Sequence, residues 1–256
     1  MVIPVIAKCR RRPMIVSHNE LVAVTNKAFL GMRRTCGEAD VIANMVADLQ
    51  MVGLNGVRHF NNSTKFLTVE EDCPVEITMS KSGNLVVDLH GCSVACHLPV
   101  IVDYAVEKMV KRKRLSITLT KCHNRWLAYS ELVKLAAKGI ACKAEWENGT
   151  SPKRTLYVLN RGCVSPELFL SDDVELNSGK LNDMTIELSV RDFDVVALSE
   201  GYSIHINSAE LNGSQENAWS HGIQVDDADW ESLKKTATAI LVENSEQSLK
   251  GAGELA

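Results

Sequence analysis

The densest run of chemically capable side chains is His90, Cys92, Cys96 and His97, with Cys122 and His123 following later in the chain. Thiolate and imidazole suit zinc, and a Cys-x3-Cys-His run can supply two or three ligands. The paired knuckles of structural zinc are missing, so the expectation is no metal site, with Cys92 and Cys96 packed as compact apolar groups at a strand-to-helix turn. Cys122 beside His123 suggests a reactive thiol. Neighbours on a strand point to opposite faces, however, which discourages a direct pair. His123 alone, at a loop between strand and helix, is better placed for proton transfer, because an imidazole titrates near neutrality.

A second run, Asn55-Gly56-Val57-Arg58-His59, follows a glycine stop at Gly53. Gly56 permits close backbone approach, and the Arg58 guanidinium can hold a carboxylate bidentately. The plain alternative is a glycine-containing helix exit. No Gly-x-Gly-x-x-Gly or phosphate loop occurs, and Gly251-Ala252-Gly253 has no helix after it. The basic run Lys111 to Arg114 reads as a solvated helix end that complements the helix dipole.

These residues need elements to position them. Ser17, His18, Asn19 and Glu20 form a capping box, after which Leu21, Val24, Ala28 and Met32 recur at helical spacing. Ile42, Val46 and Leu49 repeat the pattern beyond Gly37, giving a helical hairpin that stops at Gly53. Val75, Ile77 and Met79 alternate, Lys81 to Asn84 turns, and Leu85, Val87 and Leu89 return as a β-hairpin. Pro99 is expected to start a helix, followed by a strand with Leu115, Ile117 and Leu119. A helix from Trp126 to Lys138 ends at Gly139, and Ile140–Trp146 and Thr155–Leu159 read as strands. Residues from Asn160 to Asn217 look mostly strand-like, and Asp226 or Asp227 caps a last helix carrying Trp230, Leu233, Ala237, Ile240 and Leu241. The interleaving of helices and strands predicts a mixed α/β (α+β) fold: an N-terminal helical hairpin and a C-terminal helix around a mixed sheet.

The whole chain of 256 residues is 45% hydrophobic and carries 28 Lys+Arg against 32 Asp+Glu, which excludes general disorder. The near-neutral balance argues against nucleic acid, and no stretch is apolar enough to span a membrane. Eight sparse cysteines read as reduced thiols, and the opening residues run apolar then basic, the reverse of a secretory signal, so a cytoplasmic protein is expected. Residues 1–14 are expected to be a flexible tail, either loose or a product of start-codon choice between Met1 and Met14. One globular unit is expected over 15–243, divisible into sub-lobes 15–150 and 151–243, with a polar tail over 244–256.

Several runs resemble the type-2 malate/lactate dehydrogenase family: Ala47-Asp48-Leu49-Gln50 through Asn55-Gly56-Val57, Tyr104 to Lys108, Cys122-His123-Asn124 with Tyr129 to Leu132, Lys138-Gly139-Ile140, and Gly222 to Val225 with Trp230 and Leu233. Over nearly its whole length the chain also resembles shorter bacterial proteins of unknown function, from Ser17 to Leu21 at one end to Asn244 to Ser248 and Gly251 to Gly253 at the other. The first resemblance implies the distinctive dehydrogenase fold, which is not a Rossmann fold, and NAD or NADP chemistry on 2-oxo, 2-hydroxy or cyclic imino acids. It also implies departures. The family's Ser-His-Gly, whose histidine moves the proton, reads Leu54-Asn55-Gly56 here, and an amide cannot exchange a proton near neutrality. The family's carboxylate-binding arginine falls on His59, beside Arg58, and its second histidine matches His123 after a one-residue deletion. The Gly-rich cofactor contacts have no counterpart.

The resulting expectation is a shortened relative, a homo-oligomer, that has lost standard NAD(P) hydride transfer and uses no cofactor. It binds or converts a small carboxylate through Arg58 and His59, with Asn55 and His123 as the catalytic pair. Two alternatives stand beside it. One is a residual NAD- or NADP-dependent oxidoreductase in which Asn55 orients the substrate and His123 moves the proton; the other is a non-catalytic homo-oligomeric accessory protein.

Overall fold

The structure, a computed structural model, describes residues 13–32, 34, 36–67, 75–173 and 178–240. The first half of the chain forms β1 (Met14–Val16), α1 (His18–Gly31), α2 (Cys36–Met51), α3 (Gly56–Leu67), β2 (Glu76–Met79), β3 (Leu85–Asp88), α4 (Val94–Lys108), β4 (Arg114–Thr120) and α5 (Tyr129–Ala137). There follow β5 (Ala141–Glu147), β6 (Arg154–Leu159), β7 (Glu167–Ser171), β8 (Met184–Ser189), α6 (Val195–Ser199), β9 (Ile204–Ile206), α7 (Ser208–His221), β10 (Ile223–Val225) and α8 (Asp227–Ala237).

Eight strands make one mixed sheet in the order β2-β3-β4-β8-β5-β6-β7-β9. Only β3 and β4 run parallel, joined by the α4 crossover, and every other neighbouring pair is antiparallel. Alternation of Leu115, Ile117 and Leu119 against Leu188, Ile186 and Met184 builds the core face of the sheet. On the other face Leu156, Val158 and Phe169 pack with Phe193 and Tyr202. Helix α2 is the centre of the helical layer, buried at Ala39, Ile42, Met45, Val46 and Leu49 and packed against α1, α3 and α5. The Ser130 hydroxyl of α5 donates to Asp48 of α2 at 2.7 Å.

The mixed fold, the helical hairpin, the Lys81–Asn84 turn and the αL stop at Gly139 stand as the sequence predicts. Three local expectations need correction. Helix α4 begins at Val94, where the Ser93 hydroxyl accepts from the Ala95 amide at 3.3 Å, so Pro99 lies inside the helix rather than at its start. The stretch to Asn217 is strand-like only as far as Ile206; α7 follows, with Leu211 and Ala218 its only buried residues, so no apolar stripe announces it. The last helix starts after Asp226 as expected, its carboxylate accepting from the Ala228 and Asp229 amides, and Ile223–Val225 before it is strand β10. Met14, the last residue of the expected tail, belongs to strand β1, since Met14–Val16 pairs antiparallel with Val225–Ile223. The expected tails lie outside the described residues, apart from Pro13 and Met14. Among the described residues no helix is long and apolar enough to cross a membrane.

Candidate functional site

Helix α2 ends where Gly53 takes a φ of 81°, and after a short link Asn55 takes a φ of 54° before α3 begins. Asparagine tolerates that left-handed conformation better than most residues because its short side chain can bond locally. Gly56 then sits hard against α2: a Cβ there would lie 2.1 Å from the Val46 carbonyl oxygen and 2.9 Å from the Gln50 nitrogen. The buried Gln50 fastens the junction, its Oε1 accepting from the Val57 amide at 3.0 Å and its Nε2 donating to the Gln224 carbonyl at 2.7 Å. The start of α3 is therefore fixed on two sides. From it Asn55, Arg58, His59 and Asn62 project at helical spacing along one face.

That face forms one wall of a cleft of about 880 Å³. Opposite it lie Asn124, Arg125 and Trp126, the β5–β6 turn with Asn148 and Ser151, the α7 residues Glu210 and Ser214, and Gln224 on β10. Such a volume falls in the range of small-molecule sites. The Arg58 Nε donates to Asp229 Oδ2 of α8 at 2.9 Å, and nothing else among the described residues pairs with its guanidinium. Arg125 is engaged throughout, donating to the carbonyls of Leu181 and Asp183 and, at 3.1 Å, to Asn148 Oδ1. It is a brace for the turn rather than an open cation.

The aromatic part of the wall is His59 stacked on Trp126, ring centroids 5.1 Å apart and 19° from parallel, with Trp126 in turn edge-on to Trp146 and Tyr157. Burial, assisted by the positive charge of Arg58, pushes the His59 imidazole from 6.5 down to about 4. At neutral pH this ring is an uncharged hydrogen-bonding group.

The predicted residues Asn55, Arg58 and His59 thus share one cleft, and His123 is not among its lining residues. The His123 ring lies face to face on Phe66 with centroids 3.7 Å apart, and its backbone is bonded to Cys92 and Val94. Burial first, then Arg125 and Lys65, lower its proton affinity. Cys122 is fully buried, and loss of hydration drives its thiol up to about 12, which leaves no thiolate for nucleophilic attack near neutrality. Cys92 is packed as a small apolar group at the β3-to-α4 turn. Among the described residues no three His, Cys, Asp or Glu side chains are grouped to hold a metal. Sequence reading missed the contributions of Asn62, Asn124, Arg125, Trp126, Asn148 and Glu210. Asn62 alone had a signal, seven residues after Asn55 on the same helix.

The eight-stranded mixed sheet with its helical layer is similar in fold to malate/lactate dehydrogenase-like structures. Malate dehydrogenase from Pyrococcus horikoshii OT3 superposes with a TM-score of 0.69 at 9% identity, over 93% of this chain and 98% of that one. A putative malate/lactate dehydrogenase from E. coli gives 0.64 at 9% identity, over 93% and 98%. Delta1-piperideine-2-carboxylate reductase from Pseudomonas syringae pvar. tomato gives 0.60 at 11% identity, over 87% and 99%. Within that fold, residues 16–90 match a family described as protein of unknown function (DUF3726). No curated protein matches the chain.

Proposed function

We propose that this cleft binds a small carboxylate and that the chain has lost the hydride transfer of the dehydrogenases whose fold it shares. The observation that carries the reading is the Arg58 guanidinium: it lines the cleft, is anchored through Nε by Asp229, and keeps its two terminal nitrogens for a ligand. An arginine pre-oriented in this way presents a planar fork that matches a carboxylate. Asn55 and Asn62, on the same helix face, add neutral donors and acceptors, and the His59–Trp126 stack gives an apolar flank. Two of the structural neighbours are named for carboxylate substrates, malate and a piperideine carboxylate.

A dinucleotide does not fit the residues present. The Val57 amide at the start of α3 is already bonded to Gln50, and Arg125 is satisfied by three acceptors, so among the described residues lining the cleft neither the start of α3 nor a second open cation is left to cradle a pyrophosphate. None of the residues the sequence singles out for proton transfer is suited to it. Asn55 cannot exchange a proton, His59 is a weak base, and His123 is stacked on Phe66.

The test is a panel of 2-oxo, 2-hydroxy and cyclic imino acids, with NADH and NADPH alongside, read by unfolding free energy. A ligand at about 100 times its Kd adds about 2.7 kcal/mol. At least one acid is expected to stabilise the wild type and not Arg58→Gln, while neither dinucleotide acts. Equal stabilisation of both proteins by every active acid would reject Arg58, and a response to reduced dinucleotide would reject the loss of hydride transfer.

A further inference from the structure

The charged side chains that line the cleft are Arg58, Arg125, Glu210 and Asp226. Arg58 keeps its terminal nitrogens open, whereas Arg125 has its donors on two carbonyls and Asn148. Glu210 stands on the first turn of α7, across the cleft from Arg58. Asn207 Nδ2 donates to its Oε1 at 2.6 Å, and among the described residues no cation pairs with it. The Asp226 carboxylate caps α8 and adds a second negative charge to the lining. Apolar side chains make up the floor. Leu170 of β7, Ile206 of β9 and Leu211 of α7, which are 2%, 7% and 2% exposed, bring the core of the molecule to the base of the cleft, and Leu54 and Trp126 flank them.

We propose that the acid held by Arg58 carries a single carboxylate and an apolar tail, and that Glu210 turns away acids with a second carboxylate. This specificity rests on the carboxylate-binding role of Arg58 and narrows it. With one carboxylate on the guanidinium fork, no open cation among the described lining residues is left for another, and that other would share the cleft with Glu210 and Asp226. A charge set beside an unpaired like charge is disfavoured, and such repulsion selects between ligands as effectively as attraction does. The floor acts in the opposite sense on a hydrocarbon tail, each buried methylene tightening binding by about fourfold. Malate is therefore a poor ligand for this cleft.

Malate and 2-hydroxy-4-methylpentanoate match in shape, two carboxylate oxygens in one standing where two methyl groups stand in the other, and 2-oxoglutarate and 5-methyl-2-oxohexanoate form a second such pair. Calorimetric titration of the full chain gives the ratio of dissociation constants within each pair that binds. The branched acid is expected to bind about tenfold tighter or more. Glu210→Gln, which keeps an acceptor for Asn207, is expected to narrow the ratio by about threefold and Glu210→Lys by about tenfold, and added salt narrows it in wild type. A structural role for Glu210 would weaken both members of a pair alike and leave the ratio unmoved. Dicarboxylates that bind as tightly as their branched partners, or a ratio that neither Glu210 variant shifts, overturn the proposal, while loss of binding in Arg58→Gln still upholds the carboxylate site. Failure of all four acids to bind removes both.

Discussion

Replacing His59 by phenylalanine should change how stability responds to acid. The imidazole has an ordinary value of 6.5 and is held at about 4 by burial and by Arg58, so the folded state resists the proton that the unfolded chain accepts. The stability this provides is complete above pH 6.5, falls as the pH drops through the interval to about 4, and is exhausted below it. At about 1.4 kcal/mol per pH unit the interval corresponds to at most about 3 kcal/mol, and partial solvent access to the ring reduces the expectation to about 1–2 kcal/mol. His59→Phe keeps a flat ring against Trp126 and removes the titration. Urea unfolding of both proteins in steps between neutral pH and pH 4.5 gives the difference directly, and carboxylates that titrate in both cancel. Wild type should lose stability relative to His59→Phe as the pH falls. A difference that stays flat over the interval would refute the neutral, buried imidazole and with it the assignment of Arg58 as the one cation, among the described residues lining the cleft, that is open to a ligand.

Other substitutions probe the floor and the lining. Gly56→Ala forces a methyl group to within 2.1 Å of the Val46 carbonyl and should cost about 3 kcal/mol or more in chemical unfolding, whereas Gly149→Ala, with nothing within 4 Å, should be nearly neutral. Gln50→Leu leaves the Val57 amide and the Gln224 carbonyl without their partner and should cost about 2–4 kcal/mol, measured the same way. Arg58→Gln should lower stability by about 1 kcal/mol or less, because its ion pair with Asp229 is partly solvated, while abolishing the response to carboxylates. Iodoacetamide at neutral pH, followed by peptide mapping, should label the exposed Cys36 rapidly and leave Cys122 unmodified until the protein unfolds; early labelling of Cys122 would contradict its burial.

Where the sequence repeats a period, it foretells the structure. The capping box and the spacing of Leu21, Val24 and Ala28 define α1, alternation defines β2 to β4, and a glycine marks the end of α5. Helix α7 escapes because it is polar nearly all round and is held by its Asn207 cap, which accepts from the Glu210 amide at 2.9 Å, and by only two buried side chains. Helix α4 is misplaced because Pro99 is the loudest local signal while Ser93, six residues earlier, is the real cap. The candidate site divides in the same way. Asn55, Arg58 and His59 are legible because one helix carries them. Asn124, Trp126, Asn148 and Glu210 arrive from three other parts of the chain, and no local rule connects them to α3. His123 shows the converse, a chemically capable residue beside the cleft in sequence whose ring packs on Phe66.

The clamps that set the cleft span about two thirds of the chain: Arg58 and Asp229 are 171 residues apart, and Gln50 and Gln224 are 174. Contacts of such separation close large loops and form late, after local helices and hairpins. Competence to bind should then mature last during refolding, lagging behind the far-ultraviolet signal of the backbone. It should also vanish first under mild destabilisation that detaches α8, which makes the pocket a sensor of whether α8 and β10 have docked on α2 and α3.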